Sequence, residues 1–385
     1  MKKQLLIAAV AATMSVAATA DISIKGDAHF QYANIANDNT NVDTNSTRQR
    51  VRLHVTGKAG DTTVKLGLRN DGRTRVSNSA LSSEDARASG SSAGGIFGVS
   101  GASGAQFNVD YLYVTTKIGA LDIKAGDWWD TTGLGVARKG KADADRIEFS
   151  TKVNGWKLGL ETGADSSSTV LSASGKIAGF TTKFEHNTAV SLDGPAVLGA
   201  NGFDAQEAGD YTDVSIKGMA GPVGIAAEYF SGTNDTRGAA ALGDDADAAV
   251  VHLWTKVSDI TLHAAWAETD AGVAGITGTG NKWSPLGVSI LAAAPGVNGN
   301  GAIGNFGNEE DTVYGVRADM KVAGMGVQLA VGNLEIGQQT GGSNLDDTFY
   351  DVIVTRPLGK GSNLKLSYGS WNDVDSASAV IAVKF

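Results

Sequence analysis

The chain has 385 residues, of which 51 are Gly, 5 are Pro and none is Cys. Without cysteine, disulfides cannot stabilise it, and a core, a closed sheet or an oligomer must do so. Its 32 Lys and Arg against 41 Asp and Glu leave a net charge of −9, which excludes the basic footprint of a nucleic-acid binder.

The first twenty residues, "MKKQLLIAAVAATMSVAATA", put Lys2 and Lys3 before a short apolar run and end on Ala18-Thr19-Ala20. A basic start, an apolar centre and a small-x-small end are the layout of a secretory signal peptide, cleaved after Ala20. The apolar run is broken by Thr13 and Ser15 and is too short for the roughly 20 residues of a spanning helix. Segment 286–295 is likewise too short and is flanked by Pro. The expected mature chain is 21–385, exported, a single domain, with 30 basic and 41 acidic residues once Lys2 and Lys3 are gone, a net of −11.

The mature chain alternates. In "ISIKGDAHFQYA", Ile22, Ile24, Ala28, Phe30 and Tyr32 share one face and Ser23, Lys25, Asp27, His29 and Gln31 the other, with Gly26 a gap. Period two is the signature of a strand with distinct faces. Residues 34–47, rich in Asn, Asp and Thr, read as a loop. "RQRVRLHVTG" then sets Val51, Leu53 and Val55 against Arg48, Arg50, Arg52 and His54, and "TVKLGLRNDGR" sets Val64, Leu66 and Leu68 against Lys65, Arg69 and Arg73. These two strands make a hairpin whose polar face is a basic ladder. Three arginines on one strand of a soluble core would need partners, whereas on a wet face they stay hydrated.

"FNVDYLYVT", its parity blurred by Leu112 and Val114, and "ALDIKAGD" follow. Further hairpins turn at Asn154-Gly155, Ala178-Gly179, "AGPV", Ser258-Asp259, "VAGM" and "PLGKGS", and the last strand ends "VIAVKF". The count is eighteen strands of about 8–12 residues, near the length that crosses a bilayer at a tilt. Short turns alternate with long loops, as in outer-membrane barrels, and no fixed repeat length suggests a solenoid. All five prolines fall in segments read as loops or turns, as strand ladders demand. The fold class is an all-β, transmembrane, antiparallel up-and-down barrel of 16–18 strands. Tyr32, Tyr111, Tyr113, Trp156, Tyr229, Trp266 and Tyr368 are candidates for an aromatic girdle.

The opening "DISIKGDAHFQY", the strand "TRQRVRLHVTG", the segment "KIGALDIKAGDWWDT" and the ending "VIAVKF" together resemble the general diffusion porins of the Gram-negative outer membrane, in their α- and β-proteobacterial branch. The resemblance implies a water-filled channel for passive diffusion of small hydrophilic solutes and ions. It implies a homotrimer in a bilayer with lipopolysaccharide, and a third long loop folded into each lumen. That loop is "WWDTTGLGVARKGKADAD", between Gly126 and Arg146. Carried over by position, Asp127, Asp130, Asp143 and Asp145 are the acidic side of a constriction, and Arg48, Arg50, Arg52, Lys65 and Arg69 the basic side. The closing Ile381, Val383 and Phe385 resemble the signal read by the barrel-insertion machinery. Two departures stand out: the loop also carries Arg138, Lys139 and Lys141, and the family usually has sixteen strands. Either one hairpin, around 170–187 or 348–371, is miscounted, or the barrel is wider.

Competing classes remain open at this level. Eighteen strands permit a channel specific for a sugar or an anion, with lumenal Trp254 and the loop bearing Trp283 as stacking surfaces. A secreted β-sandwich adhesin is the soluble alternative. No Gly-x-Ser-x-Gly elbow or His-Glu-x-x-His occurs, and four of five histidines fall on the face read as lumenal, so no enzyme is expected. No cofactor or metal is expected. Calcium could sit at acidic runs such as "GDDADA" (243–248), but a solvated charge run explains these equally and the spacing of a calcium loop is missing.

Overall fold

The computed structural model describes residues 21–38, 42–70, 75–76, 108–135, 139–141, 146–163, 169–188, 210–233, 245–270, 286, 311–336 and 345–385. In chain order the strands are β1 (Asp21–Asn37), β2 (Val42–Ala59), β3 (Thr62–Asn70), β4 (Arg75–Val76), β5 (Asn108–Ile118), β6 (Leu121–Asp127) and β7 (Trp129–Thr131). Next come β8 (Lys139–Lys141), β9 (Arg146–Val153), β10 (Trp156–Gly163), β11 (Thr169–Ile177), β12 (Phe180–Thr188), β13 (Tyr211–Ala220) and β14 (Val223–Thr233). The rest are β15 (Asp245–Val257), β16 (Ile260–Thr269), β17 (Asp311–Val322), β18 (Met325–Ile336), β19 (Leu345–Gly359), β20 (Ser362–Trp371) and β21 (Val374–Lys384).

Eighteen of these close a barrel. Each pairs antiparallel with its neighbour in the chain, and β21 returns to pair with β1 through eleven positions, from Asp27↔Lys384 to Asn37↔Val374. The remaining three are short: β4 borders the loop end of β2, and β7 pairs only with β8. Closure leaves no unpaired edge, the condition for a sheet to lie in lipid. Of the two counts left open, the wider barrel is the one that forms.

The alternation sorts as the sequence predicts. Register places Arg50, Arg52 and His54 opposite His29, Asp27 and Lys25 on the inner face. Val51, Leu53 and Val55 lie on the outer face with Ala28, Gly26 and Ile24. Ile22, Leu171, Val214, Leu253, Leu262, Val316, Leu329, Val352 and Ile381 are all exposed on the outside, a band for acyl chains. Tyr32, Tyr229, Trp266 and Tyr368 are exposed there too, and Trp156 lies outward over Gly175. Eight two-residue turns mark the periplasmic end. At Asn154-Gly155 the φ angles are 50 and 83°, the left-handed pair that a tight hairpin needs.

The seam explains the gap at Gly26. Gly26 N donates to the Phe385 carbonyl at 2.7 Å, and Phe385 N donates to the Gly26 carbonyl at 2.9 Å. A Cβ on Gly26 would run into the Phe385 ring, so the glycine is the seat of the terminal aromatic.

Several expectations are corrected. Residues 34–47 are mostly strand, because Tyr32 Oη and Asn34 Nδ2 both donate to Asn45 Oδ1, at 2.6 and 3.0 Å. These polar rungs carry β1 and β2 to 17 and 18 residues, beyond the expected 8–12. Pro357 lies inside β19, where the register slips between Pro357 and Gly359, an irregularity that tolerates a missing N–H. Its turn is Lys360-Gly361 alone. Short and long connections do not alternate strictly, since β20 and β21 are joined at the loop end by only Asn372-Asp373. Tyr111 and Tyr113 are not girdle residues, because both rings face the lumen. The cause is a bulge: β3 pairs Gly67 with Tyr111 and Leu68 with Val109, leaving Asp110 extra. That added residue is what blurred the parity.

The inner face is not uniformly polar. Tyr211, Phe230, Val250, Ala267, Val313, Leu334, Phe349 and Trp371 are buried together on the wall of β13–β20, with Leu286 set against them and Leu134 beside them. One side of the lumen therefore offers an apolar bed to inward-folded chain.

Candidate functional site: the constriction

The segment between Gly126 and Arg146 is called L3; its described residues 128–135 leave the wall and reach across the lumen. Its base is fixed by Arg146, the first residue of β9, whose side chain is almost wholly buried. The guanidinium donates to Glu161 at 2.7 Å, Asp130 at 3.2 Å and the Trp128 carbonyl at 2.7 Å. It also lies 4.0 Å from the centre of the Trp128 ring, with Lys124 at 3.8 Å. Two cations on one indole, one of them bound to two carboxylates, make a stiff hinge.

The basic wall adjoins this base. Arg52 donates to both oxygens of Asp27 at 3.1 Å. His54 Nε2 lies 3.2 Å from Asp27, and its Nδ1 lies 2.7 Å from the Tyr111 hydroxyl. Lys65 stands 5.8 Å from the centre of the Tyr113 ring. Arg69 lies 3.6 Å from Asp110, which also accepts from the Trp129 indole at 3.0 Å. Asp110 thus links ladder to loop. It was missed in the sequence because only the bulge turns it inward.

Of the predicted residues, Arg50, Arg52, Lys65 and Arg69 share one inner wall. Arg48 lies on β2 next along, its side chain outside the described residues. Asp130 sits at the loop base, where Arg146 engages it. Asp127 closes β6. Asp143 and Asp145 lie outside the described residues. Ile381 and Val383 face outward and Phe385 caps the seam.

The tip of L3 docks on the far wall. Thr132 Oγ1 donates to Glu185 at 3.0 Å, Leu134 N donates to Glu228, and Lys183 donates to the Gly133 carbonyl at 2.9 Å. A Cβ on Gly133, at φ 54°, would run into Asp213 and Glu228. The acidic residues Glu185, Asp213 and Glu228 lie on the inner faces of β12, β13 and β14. Each reads in the sequence as a lone charge in an alternating strand, and nothing local says that L3 lands on them. Trp254 lies flat over Gly224 on the inner face, with His252 5.1 Å away, ring centre to ring centre, and Lys217 5.9 Å from its own. Trp283 lies outside the described residues. Among the described residues no group of three or more His, Cys, Asp or Glu is arranged to hold a metal ion.

A closed barrel, apolar outside, charged within and crossed by an anchored loop, defines a membrane channel. The chain belongs to the Gram-negative porin family, whose profile matches residues 6–376. No curated protein matches it. Solved structures share the fold at low identity. OccAB2 of Acinetobacter baumannii superposes with a TM-score of 0.58 at 12% identity, covering 95% of this chain and 98% of that one. OccK8 (OprE) of Pseudomonas aeruginosa gives 0.57 at 10% identity, covering 95% and 98%. OpdK of the same organism, solved with vanillate, gives 0.54 at 14% identity, covering 94% and 98%. The protein is an outer-membrane porin, a channel and not an enzyme, set in a bilayer with lipopolysaccharide.

Proposed function

We propose that the barrel passes small hydrophilic solutes and ions by passive diffusion, through a gap between L3 and the basic wall of β2–β6. One observation carries this reading. Arg50, Arg52, Lys65 and Arg69 line one inner wall, while L3 is anchored on Glu185 and Glu228 of the opposite wall. Opposed walls of unlike charge set a field across the gap, which favours polar over apolar solutes. Width follows from strand number, since barrels of 16–18 strands leave an aqueous channel. Within this reading the channel works as a homotrimer, residues 1–20 are removed after Ala20, and the insertion machinery reads Ile381, Val383 and Phe385. Planar-bilayer recording of the purified protein tests it: discrete ohmic steps are expected, and a bilayer left silent by folded barrels would end it.

A narrower reading is selection for small organic anions. Its support is the cationic and aromatic lumen, with Trp254 flat beside Lys217, together with the vanillate bound to OpdK. An aromatic carboxylate that blocks chloride current at concentrations where a neutral sugar of similar size does not would favour it.

A further inference from the structure

Asp213 is the odd group in this lumen. It is 0% exposed, and neither carboxylate oxygen meets a hydrogen-bond donor. Buried carboxylates normally accept several donors, and an unmet one needs an explanation. The charged and titratable groups around it are few. On β12 stand Lys183 and Glu185, on β13 Tyr211, and on β14 Glu228, itself 3% exposed. Among the described residues L3 brings Thr132, Gly133 and Leu134 against it, none of them charged. Tyr211 and Thr132 hydroxyls both donate to Glu185, and the Lys183 ammonium donates to the Gly133 carbonyl. Among the described residues three carboxyl groups stand around one lysine, and those of Asp213 and Glu228 both press on one point beneath Gly133. The fit against Gly133 is too close even for a Cβ, so Asp213 meets the loop with no room for a side chain between them.

We propose that Asp213 carries a proton in the native channel and donates it to the Glu228 carboxylate, and that this pair is the seat that holds L3 across the lumen. Glu228 then accepts from Asp213 on one side and from Leu134 N on the other. Loss of the proton to hydroxide leaves two carboxylates in contact beneath the loop, and their repulsion unseats it. Asp213 is thus a positioning residue that sets the gap from behind. The consequence for current rests on the channel reading; the proton itself does not.

Infrared spectroscopy of the folded barrel, with conductance titrated from about pH 7 to about pH 11, tests this. The wild type is expected to show a protonated-carboxyl stretch at neutral pH that Asp213→Asn removes. Its unitary current is expected to become larger and noisier in alkali, while Asp213→Asn, which keeps a donor to Glu228 but cannot ionise, stays at the neutral wild-type level throughout. Lys183 and Tyr211 remain in both proteins, so the difference between them reports Asp213. Should Asp213→Asn fail to fold, Glu228→Gln supplies the same single hydrogen from the other partner and is expected to abolish the alkaline response equally. The proposal is overturned if no carboxyl band is lost in either variant. It is equally overturned if Asp213→Asn is already wide and noisy at neutral pH, as loss of a charged cation ligand would make it. Absence of current with the band present would refute the channel reading instead.

Discussion

Lys65 is the sharpest probe of the basic wall. Its ammonium faces the lumen beside Tyr113, with no carboxylate partner among the described residues, whereas Arg52 and Arg69 are offset by Asp27 and Asp110. Lys65→Glu therefore changes the lumenal charge by two units without stranding a partner. At about 8 Å in water one unit charge acts on a passing ion with about 0.5 kcal/mol. Two units give about 1 kcal/mol, which screening at 0.1 M salt roughly halves. The effect has opposite sign for cation and anion, so their permeability ratio moves by about 1 kcal/mol, or roughly fivefold. In a tenfold potassium chloride gradient this shifts the zero-current potential by about 30 mV toward cation preference. Arg50→Glu, on the neighbouring strand, should move it the same way. If Lys65→Glu forms channels of normal stability whose potential is unmoved, ions do not pass the basic wall, and the constriction has been placed wrongly.

Two further substitutions test the framework. Gly26→Val would force the Phe385 ring off the seam; overpacking of this kind costs ~1–3 kcal/mol. Unheated samples on a denaturing gel should show a reduced fraction of the fast-migrating folded form, and a wild-type pattern would remove Phe385 from the closure. Arg146→Met would leave the half-buried Glu161 without its cation and free the Trp128 carbonyl, at up to roughly 3 kcal/mol. Lower thermal stability in detergent and faster proteolysis within 128–146 are expected, and an unchanged melting curve would show that the hinge is not held there.

The barrel was legible because its signal is repetitive. Val51, Leu53 and Val55 against Arg50 and Arg52 state one rule, and eighteen strands repeat it, so local ambiguities average out. Even the break at Gly26 had a cause, but it lay 359 positions away in Phe385, where no window of sequence could reach. The two charged walls of the lumen were not equally legible. The basic ladder sits on adjacent strands, and its parity shows. The far wall is built from Glu185, Asp213 and Glu228 on three strands, chosen by where L3 lands, and landing is a matter of loop trajectory rather than pattern. Tyr111 and Tyr113 were misassigned because one bulged residue, Asp110, reverses the parity of everything after it, and a bulge leaves no fixed mark in composition.

The central claim is that alternate side chains face water and lipid around a closed wall, and the absence of native cysteine makes it directly measurable. Single cysteines placed at Arg52, His54 and Lys65, and at Leu53, Val55 and Leu66, can be challenged with a charged, membrane-impermeant thiol reagent in liposomes. The account predicts rapid labelling of the first three and protection of the second three, with the pattern inverted for quenching of an attached fluorophore by brominated acyl chains. Equal labelling of both sets, or protection of positions 52, 54 and 65 alone, would contradict it.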